Sequence, residues 1–144
     1  MPGEKIPEKY TCQGADVSPE IIWDGMADKS KTFTLIMDDP DAPSGTWVHW
    51  IIYNIPAEQH HLLTHVPSLE RLDNGACQGR NSFKKIGYDG PCPPEGHGPH
   101  RYFFRIYALD GPLNLKPGAS NEEVKTAMTG HILDQAEMVG RFER

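Results

Sequence analysis

The chain has 144 residues, the length of one domain, and is long enough to bury a single hydrophobic core. Its 20 acidic and 14 basic residues give a formal net charge of −6, which disfavours long-range attraction to nucleic acid or to an acidic membrane surface. No apolar run approaches the about 18 residues of a membrane span, and the first residues lack the apolar stretch of a secretory signal. These features predict a cytoplasmic protein without integral membrane association, unless a leader has been removed.

The first half of the chain predicts short strands joined by turns. The 14 glycines and 13 prolines of the sequence are scattered among β-branched and aromatic runs, which is typical of such a fold. Strong strands are predicted over residues 32–37 and 47–54, each ended by a proline that cannot donate to a strand ladder. The second of these is largely apolar on both faces, as in a central strand. Weaker strand candidates lie near residues 21–23 and 62–63.

A stretch without sustained periodicity follows over residues 67–99. It is rich in Gly, Pro, Asn and Asp, and its length within a compact domain predicts functional loops. A third strong strand is predicted over residues 101–109, because its even positions form an apolar core face while its odd positions include two arginines.

The end of the chain predicts the only clear helix of the sequence. Ser120 and Glu123 have the spacing of a capping box, and apolar residues recur at helical spacing from Val124 to Val139. Gly130 lies inside this segment and either kinks the helix or splits it in two. Mostly strands with one late helical segment predict a single mainly β domain over residues 1–144, a β-sandwich with a small C-terminal helical segment.

The cysteines and two of the histidines give no sign of a metal site. Cys12, Cys77 and Cys92 are an odd number, and no pair has C-x-x-C spacing, so we expect three free thiols in a reducing compartment. His61 and His65 have the spacing of two ligands on one helix face, but the nearby prolines oppose a helix there. The sequence therefore predicts neither a metal nor a cofactor.

Two candidate site residues lie at the first two strong strands. Asp39 begins the run Asp39-Pro40-Asp41-Ala42-Pro43 and has the parity of the apolar strand face, so it either points inward or caps a solvated turn. His49 shares a strand face with apolar residues. It is either a core histidine with satisfied hydrogen bonds, or one nitrogen bonds a carboxylate such as Asp39 while the other faces a cavity.

A rigid loop of prolines and glycines enters the third strong strand over residues 90–102. His100 and Tyr102 project from one face of that strand. They either form the wall of a shallow pocket, with loop N–H groups as an anion-binding concavity, or belong to a plain connection with a packed tyrosine. The signatures of nucleotide-binding proteins, kinases and common hydrolases are absent from the sequence.

Two separated motifs, in this order, resemble those of a known family. The first is Asp39-Pro40-Asp41-Ala42-Pro43 followed by Trp47-Val48-His49-Trp50, and the second is Gly98-Pro99-His100-Arg101-Tyr102. Together they are similar to the phosphatidylethanolamine-binding protein (PEBP) family, in particular to its bacterial and archaeal branch, often labelled Raf-kinase-inhibitor-like. Further matches, such as Gln78-Gly79-Arg80-Asn81, extend the resemblance over nearly the whole chain.

The resemblance implies an antiparallel β-sandwich with Greek-key connections and one small pocket at the strand ends for phosphate, acetate, cacodylate or a phospholipid headgroup. Its implied ligand-binding residues are Asp39, Trp47, His49, Cys92, Pro93, Pro94, His100 and Tyr102, with Cys92, Pro93 and Pro94 at the rim. Its implied structural residues near the pocket are Asp41, Pro43 and Arg101, with Asp41 paired to Arg101. In the wider family the peptide before the second proline of the first motif is cis, which points to Ala42-Pro43.

An anion can lie beside Asp39 if this carboxylate orients the imidazoles and raises the pKa of His49 or His100, so that a cationic ring binds the anion. Tyr102 and loop N–H groups would add neutral donors. A small, shallow pocket predicts an affinity around millimolar to high micromolar, which falls as the pH rises through about 7.

Three functional hypotheses follow. The first is a soluble binding and regulatory protein, not an enzyme, that captures a phosphate, carboxylate or headgroup-type anion. The second is a protein inhibitor of a kinase or peptidase, for which residues 86–99 would supply the exposed loop. The third is a weak hydrolase that uses the Asp/His cluster, although Cys92 is not placed as an activated nucleophile.

Two departures limit what the resemblance implies. Members of the branch usually begin with a longer segment that forms an edge strand, so this chain either lacks that strand or has been trimmed. An unpaired sheet edge would favour a homodimer, a state that relatives also adopt. The segment Ser44-Gly45-Thr46 is much shorter than in eukaryotic relatives, so their kinase-binding properties do not transfer.

Overall fold

Eight strands and one short helix make up the regular structure of the chain, in a computed structural model that describes residues 3–144. The strands are β1 (Glu4–Lys5), β2 (Ile21–Ile22), β3 (Thr32–Asp39), β4 (Trp47–Pro56), β5 (His61–Leu62), β6 (Cys77–Gln78), β7 (His100–Leu109) and β8 (Ile132–Phe142). The helix is α1 (Asn121–Met128), and a single 3-10 turn covers Glu8–Tyr10. No helix within residues 3–144 is long and apolar enough to cross a membrane.

Six of the strands form one sheet in the order β1-β8-β7-β3-β4-β6, and β2 pairs with β5 in a second, two-stranded sheet. All neighbours are antiparallel except β1 and β8, which run parallel over Gly140 and Arg141. The chain leaves β4 and returns on the far side of β3 as β7, so the connection crosses over as in a Greek key. The predicted mainly β fold with antiparallel pairing and a small helix is confirmed.

The alternation of apolar side chains explains where each strong strand lies. Every residue of β3 is buried, and β4 buries residues on both faces, as predicted for central strands. In β7 the even positions are buried and the odd positions up to Tyr107 are at least partly exposed, which confirms the predicted core face. The weaker candidates near residues 21–23 and 62–63 are the two strands of the small sheet.

The large sheet has a separate hydrophobic cluster on each face. One cluster includes Leu62 of the small sheet and Trp23, which directly follows β2, packed against Leu35 and other residues of β3, β4 and β7. The other includes Val124 and Met128 of α1, packed on the opposite face. The small sheet and the helix therefore each cover one side of the large sheet.

The predicted helix from Val124 to Val139 is wrong in its second half. Its capping box is present, since Ser120 accepts from the backbone N–H of Glu123 and the Glu123 carboxylate accepts from the N–H of Ser120. The helix ends at Met128, and Gly130 has a φ of +84°, in the left-handed region that glycine favours. The chain then runs along β7 as β8, because ten residues of that strand offer it an antiparallel partner.

The long irregular stretch of residues 67–99 is anchored by a buried amide. Gln78 donates through Nε2 to the carbonyl oxygens of Pro67 and Leu69, both at 2.8 Å. Its Oε1 accepts from Trp50 Nε1 in the sheet, also at 2.8 Å. Gln78 is fully buried, so these bonds satisfy its amide and fix the path of a loop that has little regular structure.

Candidate functional site

A cavity of about 210 Å³ lies at the ends of β3, β4 and β7. Its lining includes these predicted ligand-binding residues: Asp39, Trp47, His49, Cys92, Pro93, Pro94 and His100. Pro43 and its neighbour Ala42 also line the cavity, as do Ser44 and Phe83, which are not among the predicted site residues. Tyr102, Asp41 and Arg101 are close by but are not part of the lining.

Asp39 and His100 form a buried pair at the base of the cavity. Asp39 is the last residue of β3 and His100 is the first of β7, and the two side chains are almost fully buried. His100 Nδ1 donates to Asp39 Oδ2 at 2.7 Å, and Asp39 Oδ1 accepts from the backbone N–H of Asp41 at 2.8 Å. The carboxylate therefore fixes the orientation of the His100 ring and directs its Nε2 atom away from Asp39.

His49 is held by a different acceptor from the one predicted. Its Nδ1 donates to the backbone carbonyl of Asp89 at 2.7 Å, so the alternative in which this ring bonds Asp39 is wrong. The physical reason is that Asp39 pairs in register with Trp47, two residues before His49, while its own oxygens accept from His100 and from the backbone of Asp41. Burial lowers the pKa of His49 below 6.5, although the Asp89 carbonyl and the charge of Asp39 oppose the shift. The charge of Asp39 therefore acts on the pKa of this ring in the expected direction, but burial outweighs it.

Tyr102 contacts both imidazoles without lining the cavity. Its ring lies 5.4 Å from the His49 ring in an edge-on arrangement and 6.5 Å from the His100 ring in a stacked one. Burial raises the pKa of Tyr102 well above its ordinary value, and the charge of Asp39 and a hydrogen bond to it act in the same direction. The phenol therefore stays neutral and holds the two rings in place.

His97 and Phe83 are two residues of this region that the sequence analysis missed. His97 Nδ1 lies 2.6 Å from His100 Nε2, so the contact continues the line from Asp39 through His100 toward the surface. Phe83 packs edge-on against both Trp47 and His49, with ring centroids 5.6 and 5.3 Å apart. A histidine between two glycines, as in Gly96-His97-Gly98, was the sequence signal available for the first.

Asp41 and Arg101 form the predicted ion pair just outside the cavity. Arg101 donates through Nε and Nη2 to the two carboxylate oxygens of Asp41, and its backbone N–H donates to the same group. These bonds hold the pKa of Asp41 at about 2. The peptide between Ala42 and Pro43 is trans, contrary to the prediction; the two forms differ by only about 0.5–1 kcal/mol, so the sequence does not decide between them.

The rim of the cavity contains a disulfide, so the prediction of three free thiols is wrong. Cys92 is bonded to Cys12, 80 residues earlier, while Cys77 is free and buried. Sequence spacing does not report spatial distance, and here the backbone N–H of Cys12 also donates to the carbonyl of Pro91 at 3.1 Å. The cysteines therefore do not indicate a reducing compartment, and the cytoplasmic location stays a prediction.

Two of the remaining histidines are each paired with one carboxylate, and His60 Nε2 bonds the backbone carbonyl of Ala57 instead. His61 Nε2 donates to Glu20 at 2.7 Å, and His131 Nδ1 donates to Asp110 at 3.0 Å. Within residues 3–144, no group of three His, Cys, Asp or Glu side chains is arranged to hold a metal ion.

The fold and the lining residues can be compared with known proteins. A family model described as phosphatidylethanolamine-binding protein matches residues 1–143. The chain belongs to the phosphatidylethanolamine-binding protein family. A relative from Methanothermobacter thermautotrophicus, named UPF0098 protein, is 51% identical over 140 residues, which are 97% of this chain and 91% of that protein.

Two solved structures of the family are similar to the whole chain. The Chlamydia trachomatis protein CT736, described as a PEBP homolog, is 38% identical with a TM-score of 0.90, and the match covers 99% of this chain and 92% of CT736. E. coli YbcL, described as a new member of the mammalian PEBP family, is 32% identical with a TM-score of 0.90, and the match covers 99% of this chain and 93% of YbcL.

Proposed function

We propose that this PEBP-family protein binds a small anionic group, such as phosphate, a carboxylate or a phosphorylated headgroup, in the cavity between β3, β4 and β7. The observation that carries the proposal is the pair of buried imidazoles in the lining, His49 and His100, each with its Nδ1 atom fixed by a protein acceptor. Fixing Nδ1 commits Nε2 of each ring to other partners. Two such nitrogens in a small, partly apolar cavity favour a compact ligand that can accept hydrogen bonds.

The negative charge of Asp39 does not oppose this function, because its oxygens already accept from protein donors. Oδ2 accepts from His100 Nδ1, and Oδ1 accepts from the backbone N–H of Asp41. A carboxylate bonded in this way fixes the imidazole ring, so that its far nitrogen keeps one direction when an anion approaches. Asp39 is thus a positioning residue for His100.

The lowered pKa of His49 gives anion binding a definite pH dependence. The free ring is neutral around pH 7, so it must take up a proton before it can serve as a charged donor to an anion. Binding therefore weakens as the pH rises, by up to about tenfold per pH unit for each proton taken up. Sulfate is the appropriate probe, because it remains a dianion across this range and the slope then belongs to the protein.

A binding role is favoured over hydrolysis by the state of Cys92. Its sulfur is bonded to Cys12, so the rim offers no thiolate nucleophile while the disulfide is intact.

The anion captured belongs either to a small molecule or to a partner such as a kinase or peptidase. The exposed part of the residue 86–99 loop lies beside the cavity and would be the surface such a partner meets.

The test is an NMR titration of the histidine ring signals with sulfate, phosphate and phosphoethanolamine at several pH values. We expect the His49 and His100 signals to shift saturably, with a dissociation constant around millimolar to high micromolar. His131 is exposed and far along the sequence from the lining, so its ring is the internal reference. The His49→Gln variant should lose the response. Shifts of all three rings in parallel, or sulfate affinity independent of pH, would contradict the proposal.

A further inference from the structure

His97 is bonded to Nε2 of His100, the ring nitrogen that an anion would need. His100 is 2% exposed, its Nδ1 is committed to Asp39, and its Nε2 lies 2.6 Å from His97 Nδ1. The two rings are edge-on with centroids 4.9 Å apart. Because the only other ring nitrogen of His100 is covered in this way, nothing else can bond it while His97 stays in place.

Hydrogen-bond counting shows that the contact and anion binding are mutually exclusive. Two nitrogens 2.6 Å apart share a single hydrogen, with one ring donating and the other accepting. Because His100 Nδ1 carries the hydrogen that bonds Asp39, Nε2 of the neutral ring accepts from His97 Nδ1–H. An anion accepts only, so His100 must take up a proton from solvent and point the new Nε2–H at the anion. That hydrogen cannot point at His97 at the same time, so an anion that binds His100 must break the contact between the two histidines.

The backbone around His97 is fixed, while its side chain has open space beside it. Arg144 donates through Nε to the carbonyl of Pro93 and accepts from the N–H of Gly96, and the N–H of His97 donates to the carbonyl of Pro94. Apart from chain neighbours, no atom lies within 4 Å of the position of a β-carbon at Gly96 or Gly98. His97 itself is exposed, so its ring can leave His100 by rotating into solvent.

We propose that His97 is a built-in competitor for the ligand: it bonds His100 Nε2 in the free protein and is displaced when an anion binds there. This inference rests on the proposed function, since it concerns the same cavity. Its consequence is that the wild-type protein binds anions more weakly than the cavity alone would. An anion must replace one hydrogen bond before it gains another, so removing His97 should tighten binding by about three- to tenfold, the factor that one partly exposed hydrogen bond contributes.

The experiment compares inorganic phosphate binding by the wild type, His97→Ala and His131→Ala, by calorimetry and by NMR of the ring signals. His131→Ala removes another exposed imidazole, one that does not contact His100, so it is the control for the loss of a histidine elsewhere on the surface. We expect a dissociation constant about three- to tenfold lower for His97→Ala, and an unchanged value for the control. The dissociation constant of a His97→Gln variant, whose side chain can still bond His100, should lie between those of His97→Ala and the control. In the wild type, phosphate should also shift the His97 ring signals.

Each outcome decides a different statement. If phosphate binds the wild type and His97→Ala equally well, His97 has no role in binding. If phosphate binds His97→Ala more weakly, His97 is a direct ligand. Either result overturns the competitor role. If phosphate binds none of the proteins at tens of millimolar, the proposed function fails as well. If it binds His97→Ala but not the wild type, both the cavity and the competitor role are supported.

Discussion

Replacing both Cys12 and Cys92 by serine should lower the free energy of unfolding by about 4 kcal/mol. The bond joins residues 80 apart in the sequence, and chain entropy assigns a loop of that length about 15 cal/mol/K, or about 4.5 kcal/mol at 25 °C. Both cysteine residues are exposed, so serine leaves no cavity in the core. For a chain of this length the loss corresponds to a fall of about 8–16 °C in Tm.

The assay is urea unfolding followed by tryptophan fluorescence, with and without a reducing agent. The reductant should move the wild-type midpoint to that of the double variant and leave the variant unchanged. Thiol titration in denaturant without reductant should find one reactive group per chain, from Cys77. The reasoning is refuted if the wild type and the variant differ by less than about 1 kcal/mol, well below the value expected for this loop, or if the titration finds three thiols.

Three further predictions concern stability. Gly90→Ala should cost about 2–3 kcal/mol in urea unfolding, because the added β-carbon would lie 2.2 Å from the carbonyl oxygen of Tyr10; a neutral effect would show that the two segments are not packed this tightly. As the pH falls below 6.5, the free energy of unfolding of the wild type should decrease by up to about 1.4 kcal/mol per pH unit, because His49 takes up a proton in the unfolded chain that burial disfavours in the folded one. The His49→Gln variant should show a smaller slope. An equal slope in both proteins would rule out His49 as its source. Ser120→Ala should cost about 1 kcal/mol by removing the cap that accepts from Glu123, measured by thermal unfolding, and no loss would mean that the cap is dispensable.

The strands and most of the lining were predictable because they depend on local patterns. The alternation of apolar and polar residues predicted β7, and continuous apolar runs predicted β3 and β4. Prolines marked the ends of β3 and β4. Residues at the ends of neighbouring strands meet at one edge of a sheet, so Asp39 and His100 could be placed together once the motifs were seen. The resemblance to the PEBP family added the rim, which no local pattern indicates.

The errors concern properties that depend on which segments meet in space. The apolar pattern over residues 132–139 fits a helix as well as a strand. The segment forms β8 because the edge of β7 is free to pair with it. Whether Asp39 bonds His49 or His100 depends on strand register and on which donors reach its oxygens, which alternation does not encode. The disulfide between Cys12 and Cys92 likewise requires two loops to come within 5.4 Å between Cα atoms.

The position of β3 between β4 and β7 has a consequence for the order in which the protein assembles. The β3–β4 hairpin involves residues close in sequence, whereas Phe33 of β3 pairs with Ala108 of β7, which is made much later. At about 5–20 residues per second, the ribosome needs several seconds to supply that partner. During this time the buried strand β3 has one unpaired edge, so the nascent chain is most exposed to wrong pairing before β7 emerges. The two strands at the centre of the sheet are thus far apart in the sequence, a topology that slows folding.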